Sequence, residues 1–523
     1  MIERVPQPGT EQSRLRVSAV LAPVLVGLAA FTVSAVGSWI PNLWGDEAAS
    51  LLSAQRSLPS LWTMINHVDA VHAGYYVLLH GWISVFGDSP FSIRFPSALA
   101  VGAAAAGIVV LVRFFSRTWF AVLAGLACAV LPRMTYAGEE ARSYAMTATI
   151  AVWLTVILVA AMRRDRHGDR LWIAYGVLLA LGTQLFLYLA LIPAAHAMAM
   201  AMLRPARAFW RVWLKTSLIA GAFALPFVVL AASEHSQISF LADRNDSTLP
   251  VVLPNAFFAE GLVMYVGWGL SLVTIVAFVV RRIRRTAWTP IDRLTAIVLP
   301  WAFAPFILLE ALNALIPAFT SRYLTMCAPA VAVVIVLGVR EIVLLVQRAT
   351  TRMRWPAALA AGAATVLLVA LVVPAWADQR TPYAKNNSDW SQISDTIGAS
   401  AHPGDAIIFD ETVRPSRKTR LAMHAYPAGF ANVTDVGLSK PYYEVANWAD
   451  ATLPIAKVIS SGRLDGFTRV WVVEYATGGT VDTYGLAALE AAGFRRTESV
   501  REHSSVIYLY ERAAGGSEAT PAP

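Results

Sequence analysis

Two adjacent carboxylates, Asp46 and Glu47, have the residue types and spacing that most directly suggest chemistry. They follow the first long apolar segment, within the sequence Trp44-Gly45-Asp46-Glu47-Ala48. A carboxylate whose pKa is raised by partial burial can take a proton from a hydroxyl group, and such general base catalysis contributes about 10²–10⁴ in rate. A structural interpretation competes with this one. In the first turn of a following helix, the two carboxylates would only favour the helix dipole, by ~0.3–1 kcal/mol.

Two arginines are candidates for binding an anionic group. Arginine holds a phosphate through two parallel hydrogen bonds, and Arg142 and Arg322 lie in polar stretches between apolar segments. Arg142, which is flanked by Glu140 and Tyr144, has a structural alternative as half of an internal ion pair. Arg322 precedes Tyr323, and an arginine beside a tyrosine at a helix end is also a common membrane-interface anchor.

His72, Tyr75 and Tyr76 form a further candidate group. The imidazole of His72 could bind a hydroxyl group, a phosphate or a divalent metal, although a lone histidine is more often a hydrogen-bonded structural residue. The two tyrosine rings could pack on a substrate, but aromatic residues are also expected at a membrane interface.

The composition is that of a polytopic membrane protein. Of the 523 residues, 57% are hydrophobic and only 15% are charged, whereas soluble globular proteins carry about a quarter charged residues. The net charge of +8 does not indicate a nucleic-acid partner, because the arginines fall in short clusters between apolar runs, as in cytoplasmic loops. Cys128 and Cys327 lie inside apolar segments and are predicted to fill the core.

The apolar segments predict about eleven transmembrane helices. Residues 17–40 are long enough to span a bilayer, and the arginines before them predict a cytoplasmic N-terminus, which puts Asp46 and Glu47 on the extracytoplasmic side. Residues 75–86 are too few to cross and are predicted to form an interfacial or re-entrant helix. Later spans are predicted at 93–112, 119–131, 143–162, 171–189, 192–202, 212–232, 257–280, 294–312, 323–338 and 357–374.

The predicted fold class is mainly α, a polytopic transmembrane helical bundle with a C-terminal extracytoplasmic α/β domain. The predicted domains are 1–376 for the bundle, 377–512 for the soluble domain and 513–523 for a disordered tail. Short apolar runs at 405–410, 469–474 and 505–510 predict strands, and 486–492 predicts a helix. Alternating strands and helices indicate a small α/β domain.

Three groups of motifs resemble a known family in their order. They are W-G-D-E-A at 44–48 with H-A-G-Y-Y at 72–76 and F-G-D-S-P-F-S-I-R-F-P-S at 86–97, then Y-A-G-E-E-A-R-S-Y at 136–144, then S-R-Y-L at 321–324. Over residues 17–375 the chain resembles the membrane-embedded GT-C glycosyltransferases of the dolichyl-phosphate-mannose protein mannosyltransferase and aminoarabinose-transferase type, and its composition resembles that of actinobacterial members. The C-terminal region, with Asp389-Trp390 and His402-Pro-Gly-Asp405, is similar to the periplasmic domain of bacterial members. Family members often have two prolines after the histidine, where this chain has Ala73-Gly74.

The resemblance implies a membrane enzyme that moves a sugar, mannose or a pentose such as arabinose, from a polyprenyl-phosphate donor to an extracytoplasmic glycan, glycolipid or protein. It places the catalytic aspartate at Asp46, the base of an inverting transfer, while Glu47 would orient the acceptor or share a cation with Asp46. The leaving phosphate needs charge neutralisation, which arginine supplies. A divalent cation is a candidate cofactor, and no nucleic acid is expected. The predicted substrate-binding residues are His72, Tyr75, Tyr76, Glu140, Arg142, Tyr144, Arg322 and Tyr323.

Three other functions compete with this one. A lipid or glycan transporter or flippase would place charges deep within helices and show two similar halves, whereas here the ionisable residues lie mainly at helix ends. A scaffold protein that binds through its C-terminal domain would leave Asp46 dispensable. An oligosaccharide ligase would use a lipid diphosphate instead of a monophosphate.

Overall fold

A computed structural model describes residues 8–163, 170–234, 246–349, 357–476 and 485–512. The predicted tail at 513–523 lies outside the described residues. The chain divides into two compact units. Unit 1 comprises Met1–Ser38, Asp69–Tyr75 and Arg94–Asp378, and unit 2 comprises Trp39–Val68, Tyr76–Ile93 and Gln379–Pro523.

Unit 1 is built from apolar helices. Six described helices are long and apolar enough to cross a membrane: Pro90–Arg113, Tyr144–Arg163, Arg207–Ser233, Leu262–Ile283, Pro290–Asn313 and Ser321–Arg348. A bent pair, Thr118–Val130 and Pro132–Gly138, passes the same test only when its two helices are counted together, with a 61° change of direction at the break. Shorter apolar helices at Val20–Ala35, Arg170–Leu185, Leu187–Leu203 and Gly362–Asp378 bring the described apolar helices to eleven. The prediction of a multi-pass helical membrane protein is confirmed.

The outer faces of two spans are suited to lipid. Only 11% of the apolar window of Arg207–Ser233 and 22% of that of Leu262–Ile283 is buried within the protein. Leu218, Phe223 and Leu272 are among the large apolar side chains that they expose. An α-helix satisfies its own backbone hydrogen bonds, so an apolar helix surface is stable in the hydrocarbon of a bilayer.

Charged side chains tie three helix ends together in unit 1. Arg281 contacts Asp292 at 2.7 Å and Glu341 at 2.9 Å. Asp292 also closes a capping box with Thr289 at the start of Pro290–Asn313. These contacts pin the ends of Leu262–Ile283, Pro290–Asn313 and Ala328–Ala349. The arginine cluster at 281–285 therefore has a packing role at this end of the bundle. Other helices of unit 1 run Pro8–Ala35, Ile192–Leu203, Leu249–Asn255 and Ala357–Asp378, with 3₁₀ turns at Ala70–His72, Leu187–Leu191 and Ser321–Cys327.

Unit 2 contains a mixed five-stranded sheet. Its strands are β1 (Asp405–Phe409), β2 (Val433–Asp435), β5 (Arg469–Tyr475), β6 (Phe494–Arg501) and β7 (Ser505–Arg512), in the order β2-β1-β5-β7-β6, and a separate pair joins β3 (Leu438–Lys440) to β4 (Ala451–Thr452). β1 is parallel to both β2 and β5, whereas β7 is antiparallel to β5 and β6. The predicted α/β domain is confirmed, with three of its strands where the apolar runs placed them. The helices of unit 2 include Gly45–Gln55, Leu58–Ile65, Trp390–Ser400, Leu421–Ala425, Ile455–Ser460 and Leu486–Ala491, and Ala73–Phe86, too short to span a bilayer, lies mostly in this unit.

The segment after the first apolar helix packs on the C-terminal domain within unit 2. The amide N–H of Asn42 donates to the carbonyl of Pro382 at 2.9 Å, and its side-chain oxygen accepts from the amide of Ser391 at 2.8 Å. The amide of Leu43 donates to the Tyr426 hydroxyl at 2.9 Å. The helix Gly45–Gln55 that follows has nine buried residues. Residues 39–68 are therefore part of the same folded body as the sheet.

Arg56, directly after that helix, fixes this packing. Its side chain is almost fully buried, and its guanidinium donates to the carbonyl oxygens of Val445, Tyr442 and Asn447, the first at 3.0 Å. The guanidinium also lies 5.5 Å from the centre of the Tyr442 ring. Burial lowers the pKa of Arg56 to about 10, so the side chain is charged at neutral pH.

We expect Arg56→Ala to lower the stability of unit 2, because three buried carbonyls lose a charged donor. Hydrogen bonds to charged groups contribute about 1.5–3 kcal/mol each, and a loss of that size lowers the unfolding temperature by several degrees. Thermal unfolding of the purified chain measures the shift. Arg56→Lys is the matched variant: it keeps the charge but not the planar fork, and should fall between wild type and Arg56→Ala. Equal unfolding temperatures for all three would contradict the role of Arg56.

Candidate functional site

Asp46 and Glu47 lie in the first turn of the helix Gly45–Gln55 in unit 2. Glu47 is fully buried and Asp46 is partly exposed. The N-cap residue, Trp44, makes no side-chain cap hydrogen bond. Only glycine fits at position 45, because a Cβ there would collide with the backbone of Ser416. The position in the first turn fits both interpretations of the pair, a base and a helix-dipole partner.

An aromatic cluster in unit 1 contains three of the predicted site residues. The His72 ring stacks on Phe186, with 6.0 Å between centroids, and Phe186 meets Tyr323 edge-on at 5.2 Å. Tyr323 in turn stacks on Tyr188 at 4.9 Å, and Tyr144 packs edge-on to Phe186 at 5.3 Å. Rings at these separations gain about 0.5–1.5 kcal/mol per pair beyond their burial. The cluster, defined as His72, Tyr144, Phe186, Tyr188 and Tyr323, brings together three residues that the sequence placed far apart.

The acidic and basic motif residues lie on a buried turn beside this cluster. Glu140 and Arg142 are both buried. The hydroxyl of Ser97 donates to the carbonyl of Glu140 at 2.6 Å and reaches that of Arg142 at 3.3 Å. Ser97 belongs to Pro90–Arg113, so this hydrogen bonding fixes the turn to a neighbouring helix. The presence of Ser97 in the motif at 86–97 therefore has a structural explanation.

Arg322 and Glu140 both lie within electrostatic range of a third charged residue, Arg133. The Arg133 guanidinium interacts electrostatically with Glu140, Arg322 and Tyr144. Arg133 is itself held by the carbonyl of Ala256 at 3.2 Å. Glu140, Tyr144 and Arg322 thus all lie within electrostatic range of one guanidinium in unit 1.

The turn that carries His72 is anchored at both ends. The amide of Ala70 donates to the carboxylate of Glu234 at 2.8 Å, and Asp69 adopts a left-handed backbone with φ 59°. On the other side, a Cβ at Gly74 would lie 2.5 Å from the carbonyl oxygen of Gln184. The Ala73-Gly74 pair thus permits a close backbone approach that a bulkier residue at position 74 would prevent.

The predicted site residues divide between the two units. His72, Tyr75, Glu140, Arg142, Tyr144, Arg322 and Tyr323 belong to unit 1, and Asp46, Glu47 and Tyr76 to unit 2. Tyr75 and Tyr76 are fully buried. Within the described residues, no group of three His, Cys, Asp or Glu side chains is arranged to hold a metal ion. Both cysteines are buried and unpaired with each other.

Three residues of the aromatic and charged groups are absent from the predicted set. Phe186 and Tyr188 fell inside the predicted span 171–189, where aromatic residues look like ordinary apolar ones. The helix in fact ends at Leu185, and a 3₁₀ turn over Leu187–Leu191 follows. Arg133 follows Pro132 at the bend of the broken span. An arginine beside a proline at the end of an apolar run is the signal that could have identified it.

The resemblance to GT-C membrane glycosyltransferases that the motifs indicated is confirmed by a family model and by solved structures with the same fold. Residues 74–233 match the family model of dolichyl-phosphate-mannose-protein mannosyltransferase. No curated protein sequence matches the chain.

Solved structures share this fold at low sequence identity. ArnT from Cupriavidus metallidurans in the apo state is 12% identical, with 93% of this chain and 97% of that chain covered and a TM-score of 0.54. The same enzyme bound to undecaprenyl phosphate has the same identity and coverage, and a TM-score of 0.55. The apo oligosaccharyltransferase of Archaeoglobus fulgidus is 11% identical, with coverage of 87% and 69% and a TM-score of 0.50. The likeness to ArnT covers nearly the full length of both chains.

We expect Gly74→Ala to disturb the His72 turn. The added Cβ would clash with the backbone of Gln184, and overpacking of this kind typically costs about 1–3 kcal/mol. Gly81→Ala is the matched control in the same helix, because a Cβ there meets nothing within 4 Å, and alanine favours a helix over glycine by up to about 1 kcal/mol. Thermal unfolding should therefore move in opposite directions for the two variants, and a destabilised Gly81→Ala with an unchanged Gly74→Ala would contradict this account.

Proposed function

We propose that the protein is a glycosyltransferase that moves a sugar, mannose or a pentose such as arabinose, from a polyprenyl-phosphate donor to an acceptor, with inversion at the anomeric carbon. The observation that carries the proposal is the group formed by Arg133, Glu140 and Arg322 within an apolar helical unit, next to the aromatic cluster. In this proposal the protein lies in the plasma membrane, and the site and the C-terminal domain are extracytoplasmic. The arginines before the first apolar helix and the arginine clusters between later apolar runs support that orientation.

The charged group suits the phosphate of a lipid carrier. Arg133 and Arg322 carry like charges close enough to interact, with the carboxylate of Glu140 also in range of Arg133. A phosphate between the two guanidinium groups would be held by charge-assisted, bidentate hydrogen bonds. The ArnT structure with undecaprenyl phosphate supports a lipid of this kind as the donor carrier. Arg142, two residues after Glu140, would add to the positive potential.

The aromatic cluster suits the uncharged parts of the donor. The rings of His72 and Tyr323 both contact Phe186, and a flat aromatic surface can pack against the apolar face of a sugar ring or against a prenyl chain. The hydroxyl of Tyr188 donates to the carbonyl of Ala318 at 3.1 Å, which fixes that ring in place. In this proposal His72, Tyr144 and Tyr323 are the members of the cluster that hydrogen-bond sugar hydroxyls.

The reaction would proceed as one displacement. The acceptor hydroxyl gives its proton to the Asp46 carboxylate, and its oxygen forms a bond to the anomeric carbon. The bond from that carbon to the phosphate oxygen breaks, and the lipid phosphate leaves with the electron pair. Arg322, with Arg142, neutralises the negative charge that develops on the leaving group. Glu47, buried beside Asp46, orients the acceptor.

We expect Asp46→Asn to reduce transfer by at least about 10²-fold while the protein stays folded, because an amide cannot accept the acceptor proton. The assay uses purified protein with a panel of labelled polyprenyl-phosphate sugars and acceptors from the native membrane, with a chelator and with added divalent metal. Asp465→Asn, an exposed carboxylate of unit 2, is the matched control and should keep full activity. If Asp46 only favours the helix dipole, its loss would cost at most about 1 kcal/mol of stability and leave turnover intact.

The choice of donor separates the competing functions. Turnover of labelled lipid diphosphates, but not monophosphates, would identify an oligosaccharide ligase. An absence of turnover with every donor, in folded protein with acceptor present, would favour a transporter or a scaffold. Transfer of one sugar from its monophosphate would name the donor.

We also expect Arg322→Lys to raise the KM for the donor by about tenfold or more, since lysine keeps the charge but cannot make the bidentate contact. Arg348→Lys is the matched control, because Arg348 is exposed at the opposite end of the same span. Steady-state kinetics over a range of donor concentrations measure the effect. An unchanged donor KM in Arg322→Lys would assign Arg322 to anchoring the helix end.

A further inference from the structure

Unit 2 contains an open pocket at one edge of its sheet, next to the segment that carries Asp46. Trp44 and Gly45 form one wall, and the loop at Asn386 and Asn387 forms another. Tyr475, the last residue of β5, completes the pocket with Ser416 and Arg417. All of these residues lie in unit 2.

The topology of the sheet favours a ligand at this edge. β1 lies between β2 and β5, and is parallel to both. The chain leaves β1 towards β2 on one side, whereas β5 lies on the other side, so the direction of winding changes between β1 and β5. In open α/β sheets, ligands bind outside the carboxyl ends of the strands at such a switch point. Tyr475 ends β5, and Ser416 and Arg417 follow the end of β1.

The side chains that line the pocket match a saccharide. Among the described residues, its lining includes no aliphatic side chain but combines the aromatic rings of Trp44, Trp390 and Tyr475 with amides, hydroxyls, the Asp389 carboxylate and one guanidinium. Amides donate and accept hydrogen bonds, and a guanidinium only donates, so the set suits a ligand with many hydroxyl groups. The Arg417 guanidinium lies 5.7 Å from the centre of the Tyr475 ring, which holds it at the pocket.

The asparagine wall is held in place by buried hydrogen bonds. Asn386 and Asn387 both have left-handed backbones, with φ 55° and 57°, and both side chains are exposed. The hydroxyl of Ser504 donates to the carbonyl of Asn387 at 2.7 Å. Asp389, also at the pocket, accepts from the amide of Ser504 at 2.6 Å and from the hydroxyl of Ser505 at 3.0 Å. The Asp389 carboxylate therefore stabilises this loop, and the loop holds the side-chain amides of Asn386 and Asn387 in fixed positions.

We infer that this pocket binds a sugar ring of a glycan or glycolipid acceptor, with Trp44 and Tyr475 as stacking surfaces and Asn386, Asn387 and Arg417 as hydrogen-bonding groups. The inference rests on the proposed function and narrows its acceptor to a saccharide. Trp44 is two residues before Asp46, so the pocket adjoins the turn that carries the proposed base.

Binding of defined saccharides to the full chain tests the inference. The probes are methyl α-mannopyranoside, methyl α-arabinofuranoside, linear manno- and arabino-trisaccharides, and a serine- and threonine-rich peptide, each titrated by ligand-observed NMR. Arg417→Ala removes the guanidinium, and Asn386→Gly removes an amide while keeping a residue that adopts positive φ. Arg414→Ala is the matched control, an exposed arginine in the same loop that does not line the pocket. Thermal unfolding verifies that each variant is folded.

We expect wild type and Arg414→Ala to bind at least one saccharide, and Arg417→Ala and Asn386→Gly to weaken that binding by about tenfold. With turnover established, Arg417→Ala should raise the KM for the acceptor more than it lowers kcat. Equal weakening in Arg414→Ala and Arg417→Ala, or binding of the peptide alone, would overturn the inference.

The two proposals can fail separately. Donor turnover that disappears in Asp46→Asn, without saccharide binding to any form of the protein, would overturn the pocket and keep the enzyme. Saccharide binding that depends on Arg417, without turnover of any donor, would support the pocket and overturn the proposed transferase.

Discussion

Burial of the Arg56 side chain is the interaction on which the arrangement of unit 2 depends. A buried guanidinium is unfavourable unless nearly all its donors find acceptors. Here the carbonyls of Val445, Tyr442 and Asn447 accept from its two terminal nitrogens, and only Nε is left without a partner among the described residues. These carbonyls come from a stretch of the C-terminal domain without regular strands, and without Arg56 they would themselves lack buried donors. The helix Gly45–Gln55 and the α/β domain therefore stabilise each other through Arg56. Asp46 and Glu47, in the first turn of that helix, are held in place by the same packing.

Unit 1 also contains charged residues in an apolar environment, and it positions them through contacts with the main chain. Its charged groups are gathered beside an aromatic cluster, and main-chain contacts hold them in position. Ser97 fixes the turn with Glu140 and Arg142, and Ala256 holds Arg133. Backbone groups thus supply part of the positioning of these charged residues. Buried groups with strongly interacting charges are typical of functional sites.

The sequence predicted the features that depend on local composition. Apolar runs identified the spans because a bilayer requires about 20 apolar residues per helix, and the strands Asp405–Phe409, Arg469–Tyr475 and Ser505–Arg512 were found from short apolar runs. The strand Phe494–Arg501 was missed because it is an edge strand with mostly exposed, charged side chains. Such charges are common on edge strands because they prevent pairing with another chain.

Long-range packing was the part that the sequence could not predict. Asn42 and Ser391 are hydrogen-bonded although 349 positions separate them, and no local pattern in either segment names its partner. The aromatic cluster illustrates the same limit, because Phe186 and Tyr323 come from distant turns. Motif order brought His72, Tyr144 and Tyr323 into one predicted set, whereas Phe186 and Tyr188 belong to no motif and were recognisable only from their contacts.

The pairing of residues 39–68 with the C-terminal domain also sets an order of events during synthesis. The segment with Asn42 leaves the ribosome long before Ser391, and at about 5–20 residues per second the delay is on the order of tens of seconds. During that interval the helix Gly45–Gln55 lacks the surface that buries it. The acidic pair therefore reaches its final setting only after the last strands of the chain have been made, and a nascent chain that stops short of them lacks a finished unit 2.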